Sequence, residues 1–133
     1  MPLFNDGVMQ YLSAGLDAAS LRQETIANNL ANLNTPNFNR STVSFEEQLQ
    51  KAREAEEGRG SLERTHPDHL PQSPATLEPT VQEEASTRRI DGNNVDLERE
   101  MLSMVNNQVR YNAMAQRTSD RFDNWQYVIN EGW

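Results

Sequence analysis

A chain of 133 residues has room for one ordinary domain, and its formal charge of −8 and mean hydropathy of −0.84 make it acidic and polar. Lys51 is its only lysine and Arg88–Arg89 its only adjacent basic pair, so it lacks the basic face that nucleic-acid binding needs. No run approaches the roughly 18 to 20 apolar residues of a membrane span, which excludes direct membrane insertion. The beginning of the chain also lacks the basic start and apolar core of a cleaved secretory signal. Any export is therefore expected to use another route.

The first predicted element is a long amphipathic helix within an N-terminal segment, residues 1–34. Its apolar residues recur in alternating steps of three and four, with Gln23 as the one polar member of the series. This spacing is typical of a seam along which one helix packs against another. The apolar seam residues are Met9, Leu12, Leu16, Ala19, Ile26, Leu30 and Leu33.

A turn is predicted directly after this helix. Thr35 precedes Pro36 and is therefore pushed out of the helical region, while Asn37 tolerates a left-handed backbone. Residues 35–92 are expected to form this turn, a short helix and a loop-rich insert. Ser44-Phe45-Glu46-Glu47 resembles a capping box for the short helix, which the composition allows to reach Glu57.

Four prolines between residues 61 and 89 exclude a long helix there. Leu62, Leu70, Leu77 and Val81 are available for short extended segments. The prediction is a partly extended insert that is ordered against the helices or a neighbouring molecule.

The C-terminal segment, residues 93–133, is predicted to be a second long helix. Asn93 or Asn94 is expected to cap it, and the Asp91–Gly92 pair before it signals a turn. Steps of four and three recur along its seam. The seam consists of Leu97, Met101, Met104, Gln108, Tyr111, Ala115, Thr118, Phe122, Trp125 and Ile129.

Candidates for chemistry are sparse. His66 and His69 flank Pro67 and Asp68, but no cysteine or third histidine completes a zinc site, and the proline prevents helical placement of the pair. The chain contains no G-x-S-x-G motif and no phosphate-binding loop. Adjacent glutamates diverge on a helix and indicate solvated faces. We therefore expect no enzyme activity, no metal and no cofactor.

The two seams allow two interpretations. They can pack together within one chain, as a coiled-coil-like hairpin of the terminal helices, which makes the fold mainly α. Two helices that touch along one line bury little apolar surface, and the free energy gained is small compared with the conformational entropy lost when the helices become ordered. The second interpretation is therefore that the seams also pack against other chains. A second stripe on the C-terminal helix (Leu102, Val105, Val109) faces away from its seam and needs another surface, which favours oligomerisation.

One stretch at the end of the first helix resembles the signature of the bacterial flagellar rod and hook proteins. Three further stretches support the resemblance in order along the chain: residues 43–49, residues 65–70 and residues 91–101, followed by Asn107-Gln108-x-x-Tyr111. Glycine is more frequent in the family where this chain has Asn37. The signature residues are Ala27, Asn28, Asn29, Leu30, Ala31, Asn32, Asn34, Thr35, Pro36 and Phe38.

The resemblance is to the basal-body rod proteins, and most to the proximal rod subunits. It implies a subunit exported by the flagellar type III apparatus without a cleaved signal. Such subunits assemble into the hollow drive shaft that crosses the periplasm and transmits torque. The implied partners are further copies, other rod subunits, and the basal-body adaptor and membrane-ring proteins. The competing hypothesis is a cytoplasmic helical adaptor or chaperone that dimerises through the same stripes.

Overall fold

The computed structural model describes residues 7–59, 77–85 and 89–131. Its elements are helix α1 (Gly7–Ala31), strand β1 (Ser41–Ser44), helix α2 (Glu46–Arg59), strand β2 (Thr80–Glu83) and helix α3 (Leu97–Glu131). The predicted fold class is confirmed, because the two long terminal helices pack against each other around a short sheet and loop insert. His66 and His69 lie outside the described residues.

Helices α1 and α3 run antiparallel. At about 1.5 Å per residue they are about 38 and 53 Å long. Glu100 meets Asn29, Asn107 meets Ala19, and Met114 lies beside Gly15. The residues of α1 at this contact are small: Ala18 and Ala19 are buried beside Gly15, which lets the two backbones approach closely.

The turn predicted after α1 is present. α1 ends at Ala31, a turn follows over residues 32–34, and Asn37 has a φ of 56° in the left-handed region. The backbone N–H of Asn37 donates to the Asp91 carbonyl at 2.9 Å, so this turn is hydrogen-bonded to the one before α3. Gly92 there has a φ of +78°, and an added Cβ would collide with the Asn37 side chain.

Strands β1 and β2 form a two-stranded antiparallel sheet in which Val43 pairs with Val81. Val43 in β1 and Phe45, which follows the strand, are buried. α2 begins at Glu46 rather than at the predicted Ser44 cap, because Ser44 is the last residue of β1 and pairs with Thr80.

The prediction that Asn93 or Asn94 caps α3 is wrong. The Asp96 carboxylate accepts the backbone N–H groups of Glu98 at 3.0 Å and Arg99 at 3.3 Å, so Asp96 is the cap. The Asn93 side chain instead donates to the Asn32 carbonyl after α1. The Asn94 side chain donates to the Glu84 carbonyl in the loop that follows β2.

Candidate functional site: the polar junction and the outer apolar face

Asn29 lies at the centre of a buried polar junction between α1, β1 and α3. It is fully buried, and its amide forms two hydrogen bonds with the backbone of Ser41, accepting from N–H at 3.0 Å and donating to C=O at 2.8 Å. One side chain thereby supplies both bonds that a neighbouring strand would make. Its Nδ2 also donates to Glu100 Oε2 at 3.1 Å, which joins α3 to the junction.

A buried ion pair completes the polar junction. The Glu100 side chain has no solvent exposure, and its Oε1 accepts a hydrogen bond from Arg40 Nε. Arg40 also donates to Glu84 Oε1 at 2.6 Å, and Arg99 reaches the same oxygen at 3.4 Å. Because each charge has partners of opposite sign, the cost of its burial is offset.

Asn93 binds carbonyl groups of the turn that follows α1. Its buried Nδ2 donates to the carbonyls of Asn32 at 2.9 Å, Leu33 at 3.1 Å and Thr35 at 2.8 Å. Arg89 adds a bond to the Leu33 carbonyl at 3.1 Å. Helix ends need such partners, so Asn93 fixes the start of α3 against the end of α1.

Further along the helix pair, Asn107 is the second buried polar residue of α3. Its Nδ2 donates to the Ala19 carbonyl at 2.8 Å and to Gln23 Oε1 at 3.2 Å. The face of α3 that lies on α1 is therefore polar over its first three turns, where Glu100, Ser103 and Asn107 point inward.

Met104 is half-buried, but the other apolar residues that follow Leu97 in these turns are exposed. They form the outer apolar face of α3: Met101, Leu102, Val105 and Val109, which are 56, 63, 60 and 62% exposed. This arrangement inverts the usual amphipathic pattern, in which the apolar stripe faces the core. These exposed apolar side chains make this face a candidate interaction site.

The residues of the predicted α1 seam are more buried than those of the predicted α3 seam. On α1, Ala19 and Ile26 are buried, and Met9, Leu12, Leu16 and Leu30 are half-buried; the last residue of the predicted seam, Leu33, is half-buried in the turn that follows the helix. On α3, Met104 and Trp125 are half-buried, whereas Leu97, Met101, Tyr111, Phe122 and Ile129 are exposed. The α3 positions that face α1 are offset by about one residue from the predicted series, because Glu100 and Asn107 occupy the contact.

The signature residues also differ in their solvent exposure. Asn29 is buried, Leu30, Asn32 and Phe38 are half-buried, and Asn32 Oδ1 accepts from the Thr35 hydroxyl at 3.1 Å. Six members are exposed: Ala27, Asn28, Ala31, Asn34, Thr35 and Pro36. The sequence pattern missed the partners Arg40 and Glu100. The available signal was a glutamate at a position that faces the neighbouring helix.

A second, more exposed ion pair links α1, α2 and α3. Arg22 contacts Glu46 at 2.9 Å, and Arg110 reaches the same carboxylate at 3.1 Å. Burial alone would raise the pKa of Glu46. The backbone N–H of Glu46, the charge and hydrogen bonds of Arg22 and the backbone at Phe45 together hold it below the ordinary 4.5.

The described residues show no arrangement for metal binding. Within residues 7–59, 77–85 and 89–131, no cluster of three histidine, cysteine or acidic side chains has a geometry that would hold an ion. No helix in these ranges is both long and apolar enough to cross a membrane.

Comparison with known proteins identifies the family. A family model described as "Flagella basal body rod protein" matches residues 9–39. The flagellar basal body rod protein FlgB of Bacillus subtilis is 32% identical over 99% of both chains. Its namesake in Borreliella burgdorferi is 36% identical over 86% of this chain and 89% of its own. The Escherichia coli protein of that name is 26% identical over 96% of each chain. These relatives give no support to the adaptor or chaperone alternative. The chain belongs to the FlgB family of flagellar basal body rod proteins.

Proposed function

We propose that this protein is a structural subunit of the flagellar basal-body rod and that its role in motility is mechanical. The observation that carries the proposal is the outer apolar face of α3, which the folded chain turns to solvent. Apolar surface of this kind gains about 25 cal/mol per Å² when another chain covers it. Assembly with other rod and basal-body proteins supplies that cover.

The assembled form is a hollow shaft that crosses the periplasm and transmits torque. Long antiparallel helices suit this load, because all backbone hydrogen bonds of α1 and α3 run along their axes. The polar junction then holds the two helices in one register while neighbouring subunits press on them. The family signature and seam residues serve this packing.

The location follows from the same proposal. The subunit is made in the cytoplasm and leaves through the flagellar type III export apparatus without a cleaved signal. It takes its place in the basal body beside the other rod subunits, the adaptor protein and the membrane ring. No catalytic step and no cofactor belong to this role.

The test is a pair of neighbouring substitutions on α3. Val105→Asp places a charge on the outer apolar face, whereas Asn106→Asp places the same charge beside it at another exposed position. Both variants should keep the helical content of the wild type, because neither side chain is buried in the monomer. Cells that rely on Val105→Asp should lose motility, and isolated basal bodies should lack the subunit.

Cells with Asn106→Asp should swim. Normal swimming with Val105→Asp would refute the use of this face. Retention of the wild-type protein in the cytoplasm, with none in purified basal bodies, would refute the rod assignment and revive the adaptor hypothesis.

A further inference from the structure

Strand β2 has an open edge, the side that faces away from β1. All residues of the strand, Thr80–Glu83, are exposed to solvent. An edge strand presents a row of backbone N–H and C=O groups, and another extended chain can pair with them. The hydrogen-bonding pattern of the sheet shows which groups of β2 are available for such a partner.

The register of the sheet identifies the outward groups. The Glu84 N–H donates to the Arg40 carbonyl at 2.8 Å, so these residues form a hydrogen-bonded pair immediately after β2. Hydrogen-bonded and non-hydrogen-bonded pairs alternate along an antiparallel ladder. Val81 and Glu83 therefore occupy non-hydrogen-bonded positions opposite β1, and their N–H and C=O groups point toward the open edge.

The outer edge of β1 has the same pattern, but helix α1 covers it. Ser41 bonds through both its N–H and its C=O to the Asn29 side chain. The Val43 carbonyl accepts a hydrogen bond from Arg22 at 3.3 Å. In the part of the chain that the structure describes, no group does the same for the open edge of β2. One edge of the sheet is therefore complete, and the other lacks a partner.

The side chains at the open edge indicate the composition of a strand that fits it. Val81 and Glu83 lie two residues apart and therefore on the same face of the sheet. Val81 is 51% exposed although its partner Val43 is buried, so apolar surface remains to be covered there. Among the described residues no cation pairs with the Glu83 carboxylate, whereas the adjacent Glu84 binds Arg40. A branched apolar residue beside Val81 and a cation beside Glu83 would complement this face.

The chain itself is a poor source of that strand. Residues 67–79, which precede β2, contain four prolines. Proline has no N–H to donate to a ladder and is rare at paired positions of a sheet. A segment from another chain avoids this difficulty.

We propose that an extended segment of another chain of the rod adds to the open edge of β2 as a third, antiparallel strand; this inference rests on the proposed function. Val81 and Glu83 each donate one backbone hydrogen bond to the segment and accept one from it. The segment carries lysine or arginine opposite Glu83 and, two residues later, a branched apolar residue opposite Val81. The backbone bonds fix the direction of the bound segment, and the side chains select its sequence.

Proline substitution tests the backbone pairing. Val81→Pro removes the outward N–H without removing a bond to β1, and proline is tolerated where the N–H of an edge strand faces away from the sheet. Incorporation of this variant into isolated basal bodies should fall about fivefold, the effect of one backbone hydrogen bond. The matched control is Val81→Ile, which keeps the N–H and the branched side chain and should incorporate normally. Both variants should keep the circular dichroism of the wild type.

A charge reversal tests the side-chain complement. Glu83→Lys places like charges together at the open edge and should also lower incorporation about fivefold. Its fold should be intact, because Glu83 is exposed. The matched control is Glu47→Lys, the same reversal at an exposed position of α2, which should incorporate normally.

Hydrogen exchange locates the contact in the wild-type protein. In the dilute, isolated chain, the amides of Val81 and Glu83 should exchange as fast as those of an unstructured peptide, because their N–H groups face solvent. In isolated basal bodies, mass spectrometry with residue-level fragmentation should show both amides slowed by more than about tenfold.

The outcomes separate this inference from the proposed function. Unchanged exchange at Val81 and Glu83 in basal bodies that contain the chain, or normal incorporation of Val81→Pro or Glu83→Lys, would overturn the third strand and leave the rod function intact. Slow exchange of both amides in the isolated chain would mean that the chain covers its own edge, which would also overturn it. Absence of the wild-type chain from basal bodies would overturn both proposals.

Discussion

The substitution Glu100→Gln tests the polar junction with almost no change of volume. Glu100 accepts from Arg40 through one oxygen and from Asn29 through the other, at 3.1 Å. Glutamine has one acceptor oxygen, so its amide nitrogen must face one of these two donors. An unpaired buried donor costs about 1–3 kcal/mol, and a buried ion pair that loses one partner costs about 3–5 kcal/mol.

Arg40 keeps Glu84 at 2.6 Å, so the expected loss lies between those ranges, at about 3 kcal/mol. Urea unfolding followed by circular dichroism at 222 nm measures it. With an m-value of about 2 kcal/mol per M, the midpoint should fall by about 1.5 M.

The matched control is Arg110→Gln. Its side chain is 63% exposed, so loss of its contact with Glu46 should cost at most about 1 kcal/mol. Equal midpoints for Glu100→Gln and Arg110→Gln would refute the claim that the polar junction holds the helices together. Substitution of both buried partners, Arg40→Met with Glu100→Leu, should recover much of the loss, because no charge is left unpaired.

Three further predictions concern contacts between the elements. Gly15→Ala should change the free energy of unfolding in urea by less than about 1 kcal/mol, because alanine favours the helix and the flexible Met114 thioether, 2.7 Å from the added Cβ, can move away. The larger side chain of Gly15→Ile should cost about 1–3 kcal/mol in the same measurement. Asn93→Ala should cost about 2 kcal/mol by the same measurement, since it removes the side-chain donor of the Thr35 carbonyl and one of two donors of the Asn32 and Leu33 carbonyls; an unchanged midpoint would contradict this. The pKa of Glu46 is lower in the folded chain than its usual value, so its ion pair stabilises the fold above about pH 4.5 and loses this effect as the pH falls through the folded pKa. The Tm difference between the wild type and Glu46→Gln should therefore be constant from about pH 8 to 5 and vanish at lower pH; a difference that grows in acid would refute it.

Apolar periodicity is enough to predict both long helices, and the Thr35–Pro36 step with Asn37 predicts the turn between α1 and β1. The α1 seam, the Thr35–Pro36 step and the left-handed Asn37 are all local features, so the sequence carries them directly. The Asp91–Gly92 turn is equally local, and Gly92 adopts the positive φ that the pair signals.

The polar junction was not predictable in this way. Asn29 and Ser41 meet across a turn, and Arg40 and Glu100 are sixty positions apart, so no local pattern joins them. Apolar periodicity also predicts that the face of α3 in contact with α1 is the one formed by its apolar residues. The helix instead turns Glu100 and Asn107 inward, which shifts the contact by about one residue. The strand Ser41–Ser44 escaped prediction because its side chains are mostly small and polar.

The central claim is that the outer apolar face of α3 becomes buried only in the assembly. Cryo-electron microscopy of an isolated basal body, at a resolution that shows side chains, tests it most directly. The account predicts density from another chain against Leu102, Val105 and Val109 in every copy of this subunit. Those three side chains facing solvent in the assembled rod would contradict it.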